Sequence, residues 1–200
     1  MKIFKKIMIV SLLFIVILAA WTFWFISQPQ FGKAPTGKRL ERIQKSPHYK
    51  NGRFDNLNLT PQLAEDTSMP EVMFKFLFGK TENSTPKQKF NFTKTYLKSL
   101  DPSDNVYIWM GHSSYFIQID GKKILVDPVF SGNASPFSFT TKAFNGADIY
   151  SAEDIPALDY LIISHDHWDH LDFKTVQKLK SKVKQVITGL GTGEHFEYWD

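Results

Sequence analysis

The stretch that decides the fold is Leu161-Ile162-Ile163-Ser164-His165-Asp166-His167-Trp168-Asp169-His170-Leu171-Asp172. It opens as a short, fully apolar run, the pattern of a buried strand. It then passes directly into a polar segment holding three of the chain's six histidines. A loop just past a buried strand can present side chains without burying unpaired backbone. In extended geometry side chains alternate with a period of two, so His165 and His167 point the same way and can share one metal ion. Asp169 and His170, at the turn into a following helix, face an adjacent position and can begin a second site. Neutral imidazole and carboxylate suit zinc, with iron and manganese also open. Two ions about 3.5–4 Å apart hold a bridging hydroxide and clamp both the attacked centre and the leaving oxygen. The plainer alternative is a solvated, acidic, His-rich loop. It requires three His and two Asp to fall in register after an apolar strand by chance, in a chain this poor in histidine.

Outward from this loop the pattern is one of short strands. Residues 106–110 and 115–119 read as two strands, and Asp120-Gly121 is a two-residue hairpin signal returning the chain along 122–126. On the other side of the loop, Phe173, Val176, Leu179 and Lys180 show helical spacing. Residues 183–187 then read as a strand, and a turn rich in glycine (Gly189, Gly191, Gly193) leads into a helical stretch over 194–199. A hairpin-rich start that passes into β-α-β units predicts an α+β or α/β sandwich and not a helical bundle.

Composition narrows the chemistry. The chain has no cysteine, which excludes disulfides, Cys-type zinc sites, thiol nucleophiles and a lipidated N-terminal cysteine. Any metal must therefore be held by His, Asp and Glu. The balance of 24 Lys+Arg against 20 Asp+Glu gives a net charge of +4. This is not the dense basic stripe of a nucleic-acid binder. A mild basic excess suits an anionic membrane surface, and it equally suits plain solubility.

Residues 7–27 (IMIVSLLFIVILAAWTFWFIS) carry no charged side chain. At 1.5 Å per residue they can cross a hydrocarbon core of about 30 Å. Lys2, Lys5 and Lys6 precede the segment, and Trp21 and Trp24 sit near its far end, where interfacial aromatics belong. A cleaved signal peptide fits less well, because Trp21 follows Ala19-Ala20 and the apolar run continues for another turn. The expectation is an uncleaved single-pass anchor. A short positive leader before one apolar segment is the signal-anchor pattern and puts the domain outside the cytoplasm. Lys33, Lys38, Arg39, Arg42, Lys45, Lys50 and Arg53 pull the other way. Residues 28–104 form a polar approach region punctuated by proline, with one apolar patch at 72–78 that packs most simply on the domain surface, or else dips into the membrane as a lip. The expected organisation is an anchor over 1–27, the approach region over 28–104, and a hydrolase-like domain over 105–200.

The segment Ser164-His165-Asp166-His167-Trp168-Asp169-His170-Leu171-Asp172 resembles the HxHxDH signature of the metallo-β-lactamase superfamily. Upstream, Trp109-Met110-Gly111-His112-Ser113-Ser114, Gly121-Lys122-Lys123-Ile124-Leu125-Val126-Asp127-Pro128-Val129-Phe130 and Ala134-Ser135-Pro136-Phe137 are similar to the branch containing N-acyl-phosphatidylethanolamine phospholipase D. The histidine motif is highly specific for the superfamily and the flanking motifs moderately so for the branch; the likeness covers roughly residues 46–200. It implies the N-terminal part of an αββα sandwich holding two zinc ions. His165, His167, Asp169 and His170 are then metal ligands, and Asp169 also orients the nucleophilic water. Asp127 is implied to brace the metal loop, with turn capping as its plainer role. His112, beside Gly111 in a turn between strands, either lines the site or is a structural histidine.

His195 invites assignment as a third metal histidine, but it follows a Gly-rich turn and opens a helix, whereas the family's third ligand lies beyond further strands. The remaining ligands of a complete family site are therefore expected past Asp200, from a continuing or complementing C-terminal portion. Two functional classes follow. One is a membrane-anchored metal-dependent hydrolase acting on a phosphodiester, such as that of an N-acyl-phosphatidylethanolamine-type phospholipid, with membrane lipid and not nucleic acid as its partner. The other is a non-catalytic, membrane-tethered remnant or subunit of a split hydrolase.

Overall fold

A computed structural model describes residues 2–58, 60–79 and 82–200. Helix α1 (Lys2–Ile26) comes first. Its 25 residues extend about 37 Å at the α-helical rise, and none of them is buried. It is long and apolar enough to cross a membrane. Helix α2 (Gly37–Gln44) follows, then a small hairpin of β1 (Tyr49–Lys50) and β2 (Arg53–Phe54). The turn between these strands is Asn51-Gly52, both with positive φ, as a tight hairpin requires. Helix α3 (Met69–Phe78) contains the apolar patch read at 72–78. It does not pack on the domain surface as expected: no residue of α3 is buried, and Phe76 is 81% exposed.

The domain itself begins with β3 (Val106–Gly111), β4 (Ser114–Ile119) and β5 (Lys122–Val126), an antiparallel meander. Asp120 and Gly121 both take positive φ and join Ile119 to its partner Lys122. The hairpin signal in the sequence thus sets the register of the pair. Strand β6 (Leu158–Ile163) pairs parallel with β5, which demands a long crossover, and residues 127–157 supply it. Helix α4 (Phe173–Leu179) then carries the chain to β7 (Val183–Thr188), parallel to β6, and α5 (Gly193–Trp199) closes the order. The sheet runs β3-β4-β5-β6-β7, each strand beside its neighbour in sequence. The mixed α/β class expected from the sequence is the class observed. Strand β6 begins at Leu158, earlier than its apolar core at 161–163 suggests, because Leu158 already pairs with Val183 and the half-buried Tyr160 with Ile124 and Gln185.

The core is built on the inner strands of this sheet. Phe116, Leu125, Leu158, Leu161 and Ile163 from the strands meet Val176 and Leu179 of α4 and Leu97, Tyr150 and Ile155 from the connections. Each fully buried aliphatic or aromatic side chain of this set stabilises the fold by about 1.5–3 kcal/mol. Alternation along β4 puts Ser114, Phe116 and Gln118 inward together. The result for the site is a rigid platform: β5 and β6 end side by side, and the histidine loop leaves from the end of β6.

Candidate metal centre

Asp127 closes β5 and is only 4% exposed. Its φ of 43° is left-handed, a conformation Asp and Asn tolerate better than most side chains. This turn aims the carboxylate across to the neighbouring strand end. There Oδ1 accepts from the Ser164 backbone N–H at 2.7 Å, and Oδ2 accepts from the Ser164 hydroxyl at 2.6 Å. The same Oδ2 lies 2.8 Å from Nδ1 of His170. An ionised carboxylate only accepts, so Nδ1 carries the hydrogen and His170 Nε2 presents its lone pair outward. That nitrogen is 3.6 Å from Oδ2 of Asp169.

On the opposite side stands the turn between β3 and β4. Gly111 has φ of 109°, and a Cβ there would collide with the backbone carbonyl of Ala147. His112 follows with φ of 43°, its carbonyl accepting from the Trp109 indole N–H at 2.8 Å. Its Nε2 is 2.9 Å from Asp169 Oδ2, while the next residue, Ser113, donates its hydroxyl to the Asp169 carbonyl at 2.8 Å. Asp169 is therefore gripped at both side chain and backbone. Burial pushes its carboxyl up, but the His112 hydrogen bond, its own backbone and the nearby histidines pull harder and hold it below the usual carboxylate range.

The donor atoms of His112, Asp169 and His170 all lie within 4.8 Å of one another. Two donors sharing a tetrahedral zinc stand about 3.4 Å apart, given bonds near 2.1 Å, so this imidazole and carboxylate set suits a divalent cation. His165 and His167 sit beside it, their rings 4.5 Å apart, and the His165 ring is 4.0 Å from that of His170. The structure thus gathers His165, His167, Asp169 and His170 at one strand end, with Asp127 beneath and His112 across. The trio that closes most tightly includes His112 in place of the first two histidines of the motif.

His195 stands apart. It lies in the first turn of α5, accepting from the Lys33 backbone N–H at its Nδ1 (2.9 Å). Its other nitrogen is 3.6 Å from the Asp166 carboxylate, and this neighbour holds Asp166 below the usual carboxylate range against the effect of burial. An apolar cleft between α4, β7 and α5, lined by Leu161, Val176, Val183 and Phe196, touches no histidine.

Sequence reading gave no role to three neighbours of the motif. Ser164 bridges Asp127 to both His165 (3.0 Å) and His170 (3.2 Å). Ser113 holds the Asp169 carbonyl. Trp168, the one aromatic inside the histidine loop, receives Phe31 edge-on at 5.4 Å. A small residue directly before the first His of the motif is the one signal that marked Ser164; nothing in the sequence marked the partners of Trp168.

Residues 107–198 match the β-lactamase superfamily domain. An uncharacterized protein of Mycobacterium tuberculosis is 30% identical over 157 residues, covering 78% of this chain and 42% of that one. The N-acyl-phosphatidylethanolamine-hydrolyzing phospholipase D 1 of Caenorhabditis elegans is 35% identical over 78 residues, 39% of this chain and 22% of its own length. A metal-dependent hydrolase of Methylocella silvestris is 34% identical over 64 residues, 32% of this chain and 23% of its own. The chain therefore spans less than half the length of each of these relatives. Both resemblances drawn from the motifs, to the superfamily and to the phospholipase D branch, are borne out.

Proposed function

We propose that this chain carries the metal-binding front of a zinc-dependent hydrolase, anchored in a membrane by α1, whose substrate is the phosphodiester of an amphiphilic phospholipid. The observation that carries the reading is the convergence of His112, Asp169 and His170 within 4.8 Å, directly beside His165 and His167. His165 and His167 would hold one ion and Asp169 and His170 a second. A bound zinc pair supplies Lewis acidity and lowers the pKa of bound water towards neutrality. The chain's own residues do the positioning. Asp127 and Ser164 orient His170, His112 and Ser113 orient Asp169, and Asp169 accepts the hydrogen bond that aims the attacking water. The lipid substrate class is supported by the phospholipase D relative and by the span-length helix α1. The organisation is anchor over 1–27, approach region over 28–104 and hydrolase domain over 105–200, with the domain on the extracytoplasmic side.

The test is zinc titration of the detergent-purified chain by calorimetry, with His165→Ala/His167→Ala as control, followed by assay of a generic phosphodiester. Saturable zinc binding that loses one ion per chain in the double substitution supports the reading. Wild-type and variant chains that bind zinc equally, or not at all, would sink it and leave the membrane-tethered, non-catalytic reading.

A further inference from the structure

Phe25, in the last turn of α1, is the one residue of that helix that is not exposed. It is covered by a loop of the domain. Phe25 stacks on Phe137 with centroids 4.9 Å apart and an interplanar angle of 10°, and meets Phe31 edge-on at 5.3 Å. Phe31 in turn packs on Trp168 of the histidine loop. A run of aromatic contacts therefore joins the foot of α1 to the metal loop in one direction and to Phe137 in the other.

Phe137 sits at the tip of an ordered loop. Asn133 bridges Lys142, and Ala134 N–H and Ala143 N–H donate to Thr141 and Gly132 across the base. Ser135 and Thr140 join their hydroxyls at 2.7 Å just below the tip. The base is fastened to the end of the histidine loop, where Ser131 N–H donates to Asp172 Oδ2 and Phe130 N–H to Thr175 Oγ1. Such a built loop gives its tip a fixed height. At that tip Phe139 packs its ring 5.6 Å from Phe137 yet is 74% exposed.

Depth follows from α1. A helix of this length spans the hydrocarbon with its last turn in the interface, where Trp21 and Trp24 belong. Phe137 lies against that same turn, so it shares its depth, and Phe139 projects beside it. Resting on the reading of α1 as an anchor, we propose that residues 136–139 form a second membrane contact, inserted at the lipid–water interface next to the anchor. The occupant of this surface is the bilayer itself. The contact holds the histidine loop, through Trp168 and Phe31, beside the foot of the anchor, so an amphiphile reaches the metal loop without leaving the bilayer.

Because the chain contains no cysteine, one introduced thiol reports one place. Ser138→Cys reads the tip with both phenylalanines intact, Val16→Cys the middle of α1, and Tyr107→Cys the outward side of β3. Each full-length variant carries an environment-sensitive fluorophore in phosphatidylcholine vesicles holding lipids spin-labelled either near the headgroup or near the chain end. The expected result is loss of emission at 138 with the headgroup-proximal label, at 16 with the deep label, and at 107 with neither. Adding Phe139→Asp should cancel the loss at 138 and leave that at 16. Quenching at 16 without quenching at 138, or equal quenching at 107, overturns the second contact while the anchor stands. No quenching at 16 or 138 overturns the anchor and this inference together.

Discussion

Asp127 and His170 lie on different segments, 43 residues apart, yet their side chains meet at 2.8 Å beneath the histidine loop. The carboxylate is almost fully buried, and its other contacts all go to Ser164. One acidic residue at the end of one strand therefore sets both the backbone exit of the next strand and the tautomer of a candidate ligand.

Asp127→Asn is the substitution that isolates this role, since Asn accepts the left-handed backbone found here. It keeps one acceptor oxygen but turns a donor towards His170 or Ser164. Metal affinity should fall about 10–100-fold, the usual cost of losing a partner that orients a ligand. Calorimetric zinc titration measures this, and unchanged affinity would mean the carboxylate supports the fold alone.

Gly111→Ala should be the most damaging single methyl near the site. The added Cβ meets the Ala147 carbonyl, a backbone atom with little room to give. A side chain held at this φ adds strain of about 1–3 kcal/mol. Urea unfolding should show the loss, and the His112 turn should no longer hold Asp169.

His195→Ala separates a ligand from a strap. Zinc affinity should stay at the wild-type value, because His195 bonds to Lys33 and stands beside Asp166. The hydrogen bond lost is worth about 0.5–1.5 kcal/mol, so trypsin should cut faster at Lys33. A large fall in zinc affinity would instead return His195 to the ligand set.

Acid should weaken the clamp at Asp154. Burial pushes this carboxyl up, but Lys94 at 2.8 Å and the Ser151 N–H and hydroxyl outweigh it and hold it below the usual range. A depressed carboxylate contributes stability above its unfolded pKa of about 3.9, and that contribution disappears as pH falls through the lower folded value. The contribution of the partly exposed ion pair is at most about 1 kcal/mol. Unfolding of the wild type should therefore gain pH dependence below about pH 4 that Asp154→Asn lacks.

Local signals carried well. The Asp120-Gly121 turn and the apolar entry of β6 fell where their chemistry put them, and the motif histidines gather at that strand end, because each is a matter of neighbours in the chain. The partners that sit far apart in sequence did not show. His112 meets Asp169 across 57 residues, and that contact depends on the backbone strain at Gly111 and His112, which no pattern of hydrophobicity records. Trp168 carried no role in the sequence, since its significance comes from Phe31. The patch on α3 was legible as apolar, but its exposure was not, because composition says what wants cover and not what provides it.

The strap on α5 also orders events in time. Trp199 donates its indole N–H to the Pro29 carbonyl, and Arg39 pairs with Glu194 and Glu197. His195 and Lys33 are separated by 162 residues, which at ribosomal speed is roughly ten to thirty seconds of synthesis. Helix α1 thus emerges and can find its bilayer long before the strap on α5 exists. The five strands, each paired with its neighbour in sequence, can assemble in the order they are made during that interval. Phe137 and Trp168, which seat the foot of α1, are made before α5, so the anchor can settle against the domain's loops first and the α5 strap then reinforces a contact already in place.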